Sequence, residues 1–177
     1  FRATALREGG ENASYSREFA FSKSTGRPAV LNTKPNDSYT FEGASLLVDG
    51  YHSRPVFTSG AWLGYLDEPL DVTIDMGGEQ SYRSVELETL AEKGDWIFPP
   101  SSVTVWVSDN GTDFTEVASV AVPEAKAGDA DGIGRYRMQF PETSARYLKV
   151  VAQNAAAIPA WHPGAGSKGF LFVDEVV

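Results

Sequence analysis

Through the middle of this chain apolar residues recur at every second position. Leu70, Val72, Ile74 and Met76 fall on one side, with Asp71, Thr73 and Asp75 on the other. Val85 and Leu87 alternate with Glu86 and Glu88, and Val103, Val105 and Val107 oppose Thr104, Trp106 and Ser108. Residues 114–120, 135–140, 146–153 and 170–177 continue the pattern. A period of two fits an extended strand with one face buried. Turn signals separate the runs: Gly77-Gly78, Asp109-Asn110-Gly111, residues 128–134 and Pro141–Ser144. With 17 Gly and 10 Pro scattered singly, long helices are not expected, and only Ser45–Val48 reads as briefly helical. The predicted fold class is all-β, an antiparallel β-sandwich.

An apolar fraction of 42% with 12% aromatics is enough for a real core, and 177 residues suit one domain or one domain with an extension. The net charge of -9 argues against nucleic acid or an anionic membrane as partner. With no Cys, disulfides and thiolate metal sites are excluded. No apolar run reaches the ~18 residues of a membrane span. The chain opens at Phe1 without Met or a signal-like segment, so a piece of a longer protein is expected. Residues 1–16 read as a linking segment, residues 18–22 and 28–32 as a short hairpin or two edge strands around Lys23–Arg27, and residues 33–39 as a turn-rich connector.

Near the end, Ile158-Pro-Ala-Trp-His-Pro-Gly-Ala-Gly166 sets an aromatic and a histidine in a stiffened loop. Such a loop holds polar and aromatic groups in fixed relation, as recognition of a small polar ligand requires. Five further stretches stand in order: Leu46-Leu-Val-Asp-Gly50, Leu70–Gly77, Val103–Gly111 with Phe114, Arg146-Tyr-Leu-Lys-Val150 and Phe172-Val-Asp-Glu-Val176. Together they resemble the discoidin fold, the coagulation factor 5/8 type C domain, over residues 43–177. The loop tract and Phe21–Pro28 are similar to bacterial family-32 carbohydrate-binding modules, in particular those following the catalytic barrel of Bacteroides-type chitobiases, or β-N-acetylhexosaminidases. The resemblance implies a galactose-binding-domain-like jelly roll over residues 43–177, with residues 1–42 a lead-in from a preceding domain.

Loops at one end of such a sandwich build a sugar site, and the candidates are Trp96, Trp161, His162, Trp62, Tyr65, Arg54 and Lys168. Trp96 sits in a Gly- and Pro-flanked loop, where an indole face suits the CH groups of a pyranose or plugs the end of the core. For Trp161-His162 the choice is between stacking with hydroxyl contacts and a rigid turn with His162 bonded to backbone. Trp62 and Tyr65 form a third aromatic loop, and Arg54 and Lys168 offer cationic donors unless they are plain surface charges. Trp106, in mid-strand, reads as packing.

With His52 and His162 the only histidines, a zinc site is not expected. The resemblance instead implies one structural Ca2+, with Asp49 and Glu175 at the matching positions, although Tyr51–Pro55 departs from the family's ligand pattern and leaves backbone carbonyls to serve. Asp129 and Asp131 lack the other ligands of a calcium loop and read as solvated. No motif places two carboxyls ~5–9.5 Å apart for glycoside cleavage, and the acids fall on outward strand positions such as Glu86 and Glu88. The expectation is a non-catalytic, monomeric module. It targets an attached glycoside hydrolase of a periplasmic, outer-membrane-associated or secreted bacterial protein to galactose, GalNAc or GlcNAc glycans. Its rival is a structural spacer of the same enzyme that binds no sugar.

Overall fold

A computed structural model describes residues 21–177, Phe19, and the backbone of residues 2–5 and 13–16. The first two strands, β1 (Arg2–Ala5) and β2 (Ala13–Ser16), pair antiparallel. The remaining strands are β3 (Ala29–Leu31), β4 (Leu63–Tyr65), β5 (Leu70–Ala91), β6 (Ser102–Ser108), β7 (Thr115–Ala121), β8 (Gly132–Gln153) and β9 (Leu171–Val176). They run β4-β9-β5-β8-β6-β7, with β3 on the first half of β5, and every pairing is antiparallel.

Two strands are far longer than the alternation suggests. Each of β5 and β8 covers 22 residues and takes part in both layers of the sandwich. The first half of β5 pairs with the second half of β8 (Asp71 opposite Val151), and the second half with the first (Leu87 opposite Tyr136). The register slips between Asp75 and Gln80, at the Gly77-Gly78 pair read from sequence as a turn. Gly77 has φ 77°, and the Asp75 carboxylate accepts from its N–H at 2.9 Å. The extra residues fold the ribbon over without ending it, as bulges do. Pro141–Ser144 is the matching corner in β8 rather than a break. One layer is therefore β3-β5-β8-β6-β7 and the other β8-β5-β9-β4.

The alternating residues meet between the layers. Val72 and Ile74 of β5, Val103 and Val105 of β6, and Val150 of β8 share one buried cluster with Leu87, Val173 and Leu63 of the opposite layer. A second cluster of Trp62, Leu90, Ile97 and Phe172 lies beneath Tyr39 and Phe57. This covers the far side of β9 and explains why all six of its residues are buried. Trp106 is half-buried on the outer face, opposite Lys149.

The lead-in is more integrated than its sequence suggests. Residues 18 and 20 of the first expected arm lie outside the described residues, and among the described residues β3 pairs with β5, Ala29 opposite Ile74, as an edge strand. Ser24 donates its hydroxyl to the Val176 carbonyl at 2.5 Å, and Tyr39 packs edge-on against Phe172 at 4.7 Å. Besides Gly43–Val48, three short 3-10 turns punctuate the loops among the described residues.

Gly77→Ala forces a side chain into the left-handed region, which costs about 1–2 kcal/mol. Gly78 has no positive φ, and a Cβ there would meet nothing within 4 Å. Thermal melts followed by circular dichroism should show a Tm several degrees lower for Gly77→Ala and near wild type for Gly78→Ala.

Candidate functional site

Because β5 and β8 fold over at one end, connections 66–69, 92–101, 122–131 and 154–170 all leave the sandwich at the other. In the second of these, Lys93–Asp95 makes a 3-10 turn closed by Trp96 at φ 65°. A left-handed conformation is unfavourable for a large side chain and persists only where its surroundings hold it. Here the surroundings come from the last loop. The Lys93 carbonyl accepts from the Trp96 N–H at 3.0 Å and is bonded to His162 Nε2 at 2.9 Å. His162 Nδ1 accepts from the Gly164 N–H at 3.0 Å. An accepting Nδ1 places the ring proton on Nε2, so this neutral tautomer donates to Lys93.

Three aromatic rings stand edge-on to the imidazole: Phe98 at 5.5 Å, Trp161 at 5.6 Å and Trp96 at 6.1 Å. A Cβ on Gly164 would lie 2.8 Å from the Trp96 indole, so glycine is the floor on which that ring rests. Trp161 is tied by Nε1 to the Ala125 carbonyl at 3.0 Å. The result is a ridge at the loop end with two fixed indoles, Trp96 at 42% exposure and Trp161 at 39%, and a buried histidine between them.

The other sequence candidates do not join them. Trp62 and Tyr65 have no exposed surface, so neither can stack on a sugar. Trp62 instead donates Nε1 to the Arg54 carbonyl at 3.0 Å within the second cluster, and Tyr65 belongs to the main core. His162 has both nitrogens committed to backbone and is 7% exposed, so it braces the ridge instead of meeting hydroxyls. Lys168 is exposed and paired with Asp67 at 2.5 Å. Arg54 is exposed, and among the described residues its guanidinium makes no hydrogen bond or ion pair.

Sequence reasoning missed two flanks of the ridge. Beside the Lys93–Trp96 turn, Pro55, Leu90, Ala91, Glu92, Asp131 and Gly132 line a cleft of about 240 Å3. Asp131, read as a solvated loop residue, pairs with the buried Lys93 ammonium, which lowers its pKa. Burial, then Asp95 and Asp131, raise the pKa of Glu92. Beside Trp161 lies an apolar groove of about 340 Å3 between Phe98–Ser101, Val122–Ala125 and Ala155–Ala160.

Glu88, expected to face outward, is fully buried, because residues 49–54 roof the outer side of its strand. It pairs with Arg135, and His52 Nδ1 lies 2.9 Å from its other oxygen. Asp174 and Glu175 are buried under the same roof, and they accept from the Ser53 N–H at 2.8 Å and the Gly50 N–H at 3.1 Å. Burial first, then neighbouring carboxylates, push Asp174 up to about 8 and Glu175 to about 9.

Residues 31–168 match the F5/8 type C domain, more than half of the chain. The chain belongs to the F5/8 type C domain family. Among solved structures it is similar to CpGH89CBM32-5 from Clostridium perfringens, in complex with GalNAc-β-1,3-galactose, with 16% identity over 84% of this chain and 91% of that one and a TM-score of 0.55. Chitosan-binding module 2 of the chitosanase/glucanase from Paenibacillus sp. IK-5, in complex with chitotriose, matches at 16% identity over 88% and 98%, TM-score 0.55. A Streptococcus pneumoniae fucose-binding module matches at 22% over 87% and 91%, TM-score 0.52. No curated protein matches the chain. At these identities the likeness establishes an F5/8 type C sandwich and nothing finer.

The family resemblance implies a calcium ion at Glu175 and Asp49, and the residues there can be compared with what such an ion needs. Glu175 Oε2 is buried without a hydrogen-bond partner, and Asp49, Asp174 and Glu88 all bear on that carboxylate. Among the described residues no three His, Asp or Glu side chains are arranged to hold a metal, so loop carbonyls would have to complete a shell around Glu175 and Asp49.

His162→Ala leaves the Lys93 carbonyl and Gly164 N–H short of a partner and opens a hole among three rings. We expect a loss of about 2–4 kcal/mol, with near-UV circular dichroism and tryptophan emission reporting freed Trp96 and Trp161 even well below Tm. Unchanged spectra would show that the indoles are fixed by something else.

Proposed function

We propose that this F5/8 type C domain is a non-catalytic carbohydrate-binding module. The observation that carries this reading is the ridge itself: two indoles, each about two-fifths exposed, held by backbone-bonded groups at the loop end. Flat, immobilised aromatic faces suit the CH surface of a pyranose, and fixing them in advance reduces the entropy lost on binding. The structural neighbours crystallised with GalNAc-β-1,3-galactose and with chitotriose support a ligand among galactose- or N-acetylhexosamine-containing glycans.

In this reading the parent chain is a bacterial glycoside hydrolase of hexosaminidase or chitobiase type, working in the periplasm, at the outer membrane or outside the cell. The monomeric module holds that enzyme at its substrate. A Kd of ~0.1–1 mM suffices when the tether supplies high local concentration. The match to the F5/8 type C domain supports a non-catalytic role. One structural Ca2+ at Glu175 and Asp49 would satisfy the orphaned oxygen and strengthen the roof.

Titrating purified protein with a glycan panel tests the reading. Trp96→Ala and Trp161→Ala should each weaken binding about tenfold or more, at a smaller cost in stability than the fully buried Trp62 carries, since each indole is about two-fifths exposed. Trp62→Ala should cost about 3–5 kcal/mol of stability instead. A blank panel with folded protein would favour an interdomain spacer.

Calcium has its own readout. Added to EDTA-stripped protein at 100 times its Kd, Ca2+ should stabilise the fold by about 2.7 kcal/mol, seen as a rise in Tm. Glu175→Gln should abolish the response, and a flat Tm in wild type would remove calcium from the proposal.

A further inference from the structure

The groove beside Trp161 has a chemistry of its own. Its walls include Phe98, Pro100, Val122, Pro123, Ala157 and Ile158, and the only lining side chains with polar atoms are Ser101 and Glu124. The Ser101 hydroxyl is already donated to the Asn154 carbonyl at 2.8 Å. Three consecutive residues on one wall, Ala155, Ala156 and Ala157, follow the end of β8 and take part in no backbone hydrogen bond among the described residues. The groove therefore offers methyl and prolyl surface, lined by residues 155–157, whose peptide groups make no hydrogen bond among the described residues. Four prolines among its lining residues, Pro99, Pro100, Pro123 and Pro159, keep the walls stiff.

Resting on the carbohydrate-binding reading, we propose that this groove receives the acylamino group of an N-acetylated sugar whose ring lies against Trp161. An acetamido group carries the matching functions: a methyl for the Ala and Pro walls, and an amide N–H and C=O for the peptide groups of residues 155–157. A plain hydroxyl in the same place would lose its water to apolar walls with few partners. At about 340 Å3 the groove has room for one substituted pyranose but not for a folded partner. Its position fits, since Ala160 and Ala125 both line it, and the Trp161 indole is tied to the Ala125 carbonyl. Charge gives the opposite bias. With a net charge of -9 and Glu124 in the groove, electrostatics would favour a free amino sugar, so a preference for the neutral acetylated form has to come from the walls.

The test compares N,N′-diacetylchitobiose with its de-N-acetylated counterpart and with lactose by calorimetry, alongside backbone amide NMR of the same protein. The expected result is binding of the acetylated sugar about tenfold tighter than the other two, with amide shifts at Ala155–Ala157. Ala157→Leu and Ala156→Leu, each confirmed folded by its melt, should fill the groove and erase that preference while weaker lactose binding survives. Equal affinity for all three sugars, or shifts confined to the Trp96 turn, would overturn the groove assignment and leave the broader reading standing. No binding of any sugar would overturn both. Shifts at Ala155–Ala157 that depend on protein concentration alone would assign the groove to a second copy of the chain and overturn the proposal.

Discussion

The pairing of β5 with β8 is the constraint on which the rest of the molecule depends. Each strand contributes to both layers, so this one antiparallel ribbon sets the spacing of the layers and their order, and it places all the corners at one end. The fold-over needs extra residues in a conformation closed to most side chains, which Gly77 at φ 77° provides. Once the ribbon is bent, its inward residues face one another. Ile74, Leu87, Val105 and Val173 then lose all, or nearly all, contact with water, each such burial stabilising by roughly 1.5–3 kcal/mol relative to exposure. The loop end is a consequence of this corner. Four connections converge there because the ribbon turns at the opposite end.

At the loop end the organising group is a histidine that meets no ligand. Its two ring nitrogens point in different directions in one plane, so it bridges two chain segments, accepting from Gly164 in one and donating to Lys93 in the other. The Lys93 carbonyl also takes the Trp96 N–H, and the strained backbone at Trp96 is thus fixed from both sides. The imidazole edge and faces fill the space among Trp96, Phe98 and Trp161. A leucine would fill the space but leave two buried backbone groups unpaired, and an asparagine would be too short to separate the rings.

Much of the fold was legible in the sequence because alternation is a local signal with a direct structural meaning. The inward faces of β5 and β6 and the hairpin turn at Asn110-Gly111 lie where the alternation and turn chemistry put them. The corners were not legible as corners, because Gly-Gly and Pro mark a bulge as readily as a turn. Glu88 alternates as an outward residue and is one, but its exposure is decided by residues 49–54, far away in the sequence. The same limit governs the aromatics. Trp62 and Trp96 have similar Gly-flanked surroundings, yet one lies under Tyr39 and Phe57 and the other at the free end. The groove left almost no trace, since alanines and prolines near strand ends read as spacing until three segments come together.

The acids beneath residues 49–54 tie the two ends of this account together. Glu88 is compensated by Arg135, but Asp174 and Glu175 each hold one backbone N–H and are pushed well above the usual carboxylate range. Burying several carboxyls so close together is costly, and the return on it is positional. Their hydrogen bonds to Gly50 and Ser53 pin the loop, the next residue, Arg54, presents its carbonyl to the Trp62 indole, and Trp62 packs with Ile97. Ile97 is the immediate neighbour of Trp96 and is bridged to Phe170. A run of short, directional contacts thus connects the carboxylates to the exposed indole. The crowded acids under the roof and the exposed indole at the loop end are held by one continuous set of contacts.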